Sequence, residues 1–262
     1  MQQSTTHPDS LSTHEESSPP GNAVYRLTGV LLILSVLGFF IPFIILLPGL
    51  RFMDQPASVA LPIFRQQSTT VLLSYYGYVW GGLLLILSVL LLYRVLHNRG
   101  VQSFALIIAT VCGVIGGLMQ AIGDLRWPFL LPSLASTYFD PQTSQATRAA
   151  IDVTFYAIDQ FAGVGLTEHL YYLFVGAWSL LLGWYLLQSS RPGRWMAWLS
   201  IICGCAFFIS SIEQFDLASI SLIILPFMLL SRIVWGVLLL AMAAKFLWHP
   251  AKGSDNVVVE QK

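Results

Sequence analysis

Uncharged apolar runs divide this chain. Leu27–Leu47, Val71–Tyr93 and Val101–Gly123 hold no charged residue, and neither do Leu170–Leu187 and Trp195–Ile212. Phe227–Trp248 is apolar apart from Arg232 and Lys245. A helix needs about 20 apolar residues to cross a bilayer core. The pattern therefore predicts an all-α membrane protein with six transmembrane helices, at 27–47, 71–93, 101–123, 165–187, 195–212 and 227–248. Together they form one domain over 25–249, and contact with the lipid bilayer follows directly.

Three places depart from simple spans. The connection 124–164 is long enough for its own architecture, and we expect a partly helical outer cap there. Within it, Trp127–Ala135 is apolar but cut by Pro128 and Pro132, which suits an interfacial position. Asp140-Pro141 offers a helix start, and from Ser144 the pattern is helical. At about 100° per residue, Arg148, Asp152 and Asp159 fall on one narrow charged stripe. Gly163 and Gly165 then punctuate the run before span 4, where a helix this long must bend or project. Leu217–Trp248 is also too long for one pass, and Pro226 predicts a break that leaves Leu217–Leu225 as an interfacial piece. Residues 1–24 and 250–262 are polar and read as disordered cytoplasmic tails. The first of them lacks the basic and apolar regions of a cleavable signal.

Charge orients the bundle. Arg26, the short connections Arg94–Gly100 and Gln188–Arg194, and Lys245 and Lys252 place basic residues without acids on one side. By the positive-inside rule both termini are cytoplasmic. Asp54, Asp124, Asp140, Asp152, Asp159, Glu168, Glu213 and Asp216 then all fall on the opposite side. Any concentrated polar chemistry belongs there.

The formal net charge is zero, so no basic surface invites nucleic acid. Cys112, Cys203 and Cys205 lie inside apolar runs, so no disulfide framework is implied. No spacing suited to a metal occurs, no cofactor motif is present, and no nucleophile elbow or P-loop is found.

An ionisable group within a span is costly and marks a site by default. Arg232 lies five residues into span 6 and calls for a counter-ion, with Glu213 the first expectation and Asp124 or Glu168 the alternatives. Gln120, Asp124, Arg126, Asp159, Glu168, His169, Glu213 and Arg232 form the candidate polar vestibule. Such groups can simply orient a bundle, or they can serve a small-molecule or ion ligand at the outer face. Gly113–Gly117 forms G-x-x-x-G, read as helix packing.

Arg126–Asp140 (RWPFLLPSLASTYFD) followed by Ala146–Leu187 resembles a family of bacterial six-pass membrane proteins described only as a domain of unknown function. The resemblance implies the six-helix fold and a bacterial inner-membrane setting. It implies no activity and no site residues. The sequence reading is thus a binding or sensory membrane protein with an outward polar vestibule. A small transporter or ion-coupled carrier is the runner-up. It is disfavoured because residues 25–123 and 161–248 show no self-similarity and the charges sit at the rim, where carriers of inverted-repeat type bind at the midplane. An intramembrane enzyme ranks third. Oligomeric state has no signature in the sequence.

Overall fold

The computed structural model describes residues 20–47, 55–97, 104–189, 193–212 and 221–248, with side chains from 229 onward in the last of these. Among the described residues there are helices and connections but no strand. Six helices are long and apolar enough to cross a membrane. They are α1 (Asn22–Leu46), α3 (Ser68–His97), α4 (Phe104–Asp124), α8 (Tyr171–Gln188), α9 (Arg194–Ser211) and α10 (Ser221–Trp248). Four shorter helices lie between them: α2 (Ala57–Gln66), α5 (Arg126–Phe129), α6 (Leu131–Tyr138) and α7 (Gln145–Ile158). A π-helical segment, Asp159–Leu170, joins α7 to α8 without a break.

The six long helices close into a ring. α1 packs on α3, α3 on α4, α4 on α8, α8 on α9 and α9 on α10, and α10 returns to α1. The start of α1 meets the end of α10, where Tyr25 packs on Phe246, so the first and last of the long helices meet at one end of the bundle. Lipid offers helices no hydrophobic incentive to associate, so close backbone approach and buried hydrogen bonds must hold them. Both occur. A side chain on Gly38 would meet the Gly81 backbone at 2.8 Å, one on Gly82 would meet the Gly117 carbonyl at 2.7 Å, and one on Gly204 would meet the Gly176 carbonyl at 2.8 Å. Three of the ring's seams, α1–α3, α3–α4 and α8–α9, thus close on glycine pairs. Ser35 and Ser88 hydroxyls lie 3.1 Å apart across α1 and α3, and Ser200 donates to the Ser179 carbonyl at 2.7 Å between α9 and α8. The ring's interior is filled by large side chains such as Trp178, Tyr172, Tyr185, Phe207 and Leu238.

A second, smaller core sits at the end away from the termini. Ala57, Ala60, Leu61 and Phe64 of α2 meet Trp127, Leu131 and Ala135 of α5 and α6, and Ile151 and Phe155 of α7. The connection 124–164 is therefore an ordered helical cap with α2 as an extra member. α2 escaped the sequence reading, although its buried positions recur at i, i+3, i+4 and i+7.

Several expectations need correction. The helix after Asp140 starts at Gln145, not at Pro141, because the Ser144 hydroxyl caps it by accepting from the Thr147 amide at 3.1 Å. The helix does not stop at Gly163 and Gly165; both lie inside a stretch of wider winding that begins at Asp159 and ends at Leu170. Pro226 does not break α10, which runs on from Ser221. The tails 1–24 and 250–262 lie outside the described residues, except that α1 already starts at Asn22.

Candidate functional site

The π-helical segment decides which side chains meet. Asp159 and Glu168 are nine residues apart, and at about 100° per residue an α-helix would set them on opposite faces. Hydrogen bonds from i to i+5 widen the turn to about 4.4 residues, which returns the two carboxylates to within about 20° of each other. Asp159, Gly163, Val164, Thr167 and Glu168 accordingly line one cavity. A π-helix of this length is rare, and such segments concentrate at functional sites.

Close packing holds it in place. The segment lies against α4 and α8. A side chain on Gly123 would collide with Thr167 Cγ2 and with the Ala162 carbonyl at 2.6 Å. One on Gly163 would meet the Arg126 guanidinium at 2.6 Å. Glycine at both positions lets the segment seat against α4 and lets Arg126 lie across it. Arg126 Nη2 is 3.3 Å from Asp159 Oδ1, and Nη1 donates to the Gly123 carbonyl at 2.9 Å. Trp127, next in the chain, stacks on Tyr75 with ring centres 4.3 Å apart.

The cavity measures about 290 Å³. Its polar wall is Gln120 and Asp124 of α4, Arg126, the π-helical face, and Arg232 of α10. Its apolar wall is aromatic: Phe39, Phe40 and Phe43 of α1, Tyr75 and Tyr78 of α3, Tyr171 of α8 and Trp235 of α10. Gln120 and Asp124 are one turn apart on the same face, and the Gln120 amide donates to the Asp124 carboxylate. Asp124 is only 3% exposed. A larger hollow of about 500 Å³ between α1 and α3 is a shallow groove among lipid-facing Leu37, Ile41, Ile45 and Leu73. It offers little polar chemistry.

Of the eight residues singled out from sequence, Gln120, Asp124, Arg126, Asp159, Glu168 and Arg232 line this one cavity. His169 turns to α9, with Nδ1 3.1 Å from the Ser211 carbonyl. A carbonyl only accepts, so Nδ1 carries the hydrogen there. Glu213 lies outside the described residues. The charged stripe divides: Arg148 reaches the Asp140 carbonyl at 3.4 Å, while Asp159 pairs with Arg126. The aromatic wall was not foreseen as part of a site, because rings spaced through apolar helices look like packing.

The first-expected counter-ion, Glu213, lies outside the described residues, and among them Arg232 is met by aromatic groups. Its Nη2 donates to the Tyr172 hydroxyl at 2.6 Å, and its guanidinium lies 5.6 Å from the Tyr172 ring centre and 5.7 Å from that of Phe43. Ring faces attract cations most strongly where water is scarce. Tyr172→Phe keeps the ring and removes the hydroxyl, so it should cost about 1.5–3 kcal/mol, the range for a hydrogen bond to a charged group. Thermal unfolding in detergent checks this against Tyr76→Phe, at a half-exposed ring, which should change little.

The family model for a domain of unknown function, DUF4386, matches residues 27–243. The chain belongs to this DUF4386 family. The match takes in all but the first five residues of α1, the cap, the π-helical segment and most of α10, so the cavity lies wholly within it. No curated protein and no solved structure matches the chain.

Proposed function

We propose that this DUF4386 protein is a binding or sensory membrane protein that holds a small ligand in the cavity at the end opposite its termini. The observation that carries the reading is the convergence of polar side chains from α4, α5, the π-helical segment and α10 on a cavity with an aromatic wall. Preformed cavities of this size with a few converging polar groups are the usual form of small-molecule sites. Two buried donors on lining residues, Arg126 Nε and Trp235 Nε1, have no hydrogen-bond partner among the described residues, which favours a polar occupant.

The test is a thermal-shift screen of the purified protein in detergent against ions and small metabolites. A ligand at a hundred times its Kd stabilises by about 2.7 kcal/mol. The shift should disappear in Val164→Trp, which fills the cavity. A screen without any stabilising compound, or shifts indifferent to that substitution, would count against the reading.

The bacterial inner membrane, with both termini cytoplasmic, is the setting we assign. It rests on the basic connections Arg94–Gly100 and Gln188–Arg194. In that orientation the cavity faces outward. Reporter fusions after Arg99, Arg194 and Lys262 should all give cytoplasmic signal, and an external signal at any of them would overturn the assignment.

A further inference from the structure

We infer that the cavity takes an uncharged molecule with a flat apolar body and carbonyl-type oxygens that accept hydrogen bonds. The inference rests on the binding reading above and names the chemistry of the occupant. It starts from the two buried donors on lining residues, Arg126 Nε and Trp235 Nε1, for which the described residues supply no acceptor. Trp235 is only 2% exposed. Leaving a buried donor unpaired costs more than a typical hydrogen bond contributes, so a ligand oxygen that meets one gains disproportionately.

These donors call for an oxygen, not for an anion. The rest of the Arg126 guanidinium is already engaged, with Nη2 3.3 Å from Asp159 and Nη1 donating to the Gly123 carbonyl. Asp159 therefore matches its charge, and the Trp235 indole carries none. A carboxylate brought to Nε would stand beside that of Asp159, which lines the same cavity, and the two would compete for one guanidinium. A ketone or ester oxygen takes the hydrogen bond without that repulsion. A cation lacking an acceptor leaves both donors unmet.

Rings fill the wall between the donors. Tyr75 stacks on Trp127, the chain neighbour of Arg126, and its ring centre is 5.9 Å from that of Tyr78. Tyr78 is 6.4 Å from Phe39, and Phe39 meets Trp235 edge-on at 5.1 Å. Aromatic rings pack best against another flat ring, offset or edge to face. At about 290 Å³ the space is several times that of one water, enough for a substituted single ring. Leu229 and Ile233 of α10 also line the cavity, yet both are exposed on the outside of the bundle. On a membrane-spanning helix that outside is lipid, so an apolar molecule has a way in from the bilayer. Hydrocarbon holds back a charged one.

Isothermal titration of the full chain in non-ionic detergent, with protein-free micelles as the blank, tests this with three probes of similar size. Acetophenone carries the acceptor oxygen, α-methylstyrene has the same outline with a methylene in its place, and benzoate puts the acceptor on an anion. Acetophenone should bind saturably and about tenfold more tightly than α-methylstyrene. Trp235→Phe keeps a ring and loses the N–H, so acetophenone should weaken about fivefold while α-methylstyrene holds. Arg126→Lys keeps the charge and loses Nε, and should narrow the gap between the two probes likewise. The second variant keeps the test open should the first fail to fold. Tyr76→Phe, outside the cavity, should leave both affinities unchanged. Equal affinity for acetophenone and α-methylstyrene, a gap that neither substitution narrows, or no acetophenone binding at all overturns the inference. Benzoate binding as tightly as acetophenone overturns the uncharged class. If α-methylstyrene or benzoate then binds and is lost in Val164→Trp, the binding reading stands although the ligand class has fallen.

Discussion

Arg126→Met should lower the stability of the bundle by about 2–3 kcal/mol, and adding Asp159→Asn should recover most of that loss. Breaking one half of a buried ion pair typically costs about 3–5 kcal/mol, because the remaining charge is stranded. The value here sits below that range since the two side chains retain 12% and 17% exposure. Arg126 also ties the segment to α4 through the Gly123 carbonyl, and that bond is lost in either background. Recovery in the double variant will therefore be incomplete. The measurement is a double-mutant cycle read by thermal unfolding in one detergent. Two mild, additive single effects would mean that the pair contributes nothing and that Arg126 is held by the Gly123 carbonyl and by the Trp127 ring, 5.6 Å from its centre.

Much of the fold was legible because bilayer thickness imposes a length that charge-free runs report directly. α1, α3, α4, α8 and α9 fall close to the runs read from sequence. What was not legible depends on contacts between distant segments. The closure of α10 on α1 has no local signal, since a glycine such as Gly29, where a side chain would meet the Ala243 carbonyl at 3.0 Å, becomes a seam only when two helices meet. α2 was hidden for a different reason. It is too short to span, and a search for long apolar runs passes over a ten-residue amphipathic helix.

The candidate site shows the same division. Acids and arginines near helix ends could be collected from sequence, and six of the eight line one cavity. Their grouping could not be derived with an α-helical period. Counting at 100° per residue joins Asp159 to Arg148 and Asp152, whereas the wider π-helical turn joins it to Glu168. Arg232 carries a second lesson. Burial of its charge demands a partner, and among the described residues a tyrosine hydroxyl and two rings stand against it, while Glu213 lies outside them. Sequence alone ranks acids first because it sees charge more readily than ring geometry.

Gly123→Val and Gly165→Ala should act in opposite directions, although both alter the packing or winding of the same segment. A side chain at Gly123 collides with Thr167 Cγ2 and with the Ala162 carbonyl at 2.6 Å, and Leu166 Cβ lies at 3.3 Å. The backbone carbonyl cannot move aside as a flexible side chain would, so the π-helical segment must lift from α4. Overpacking of this kind costs about 1–3 kcal/mol, with the upper end expected where backbone is struck. Lifting the segment also separates Asp159 and Glu168 from Asp124, so ligand-induced stabilisation should vanish along with the protection of amides 159–170 from hydrogen exchange. At Gly165 the nearest atom to an added side chain is the Gln160 carbonyl, at a comfortable 3.5 Å. Alanine there is accommodated and gains up to about 1 kcal/mol in helix propensity, so stability should hold or rise. Comparing the two by thermal unfolding and by amide exchange across 159–170 separates close approach from a general intolerance of this segment to substitution. Equal losses at both glycines would show that the winding itself needs them, and that the seat on α4 is not what keeps the carboxylates together.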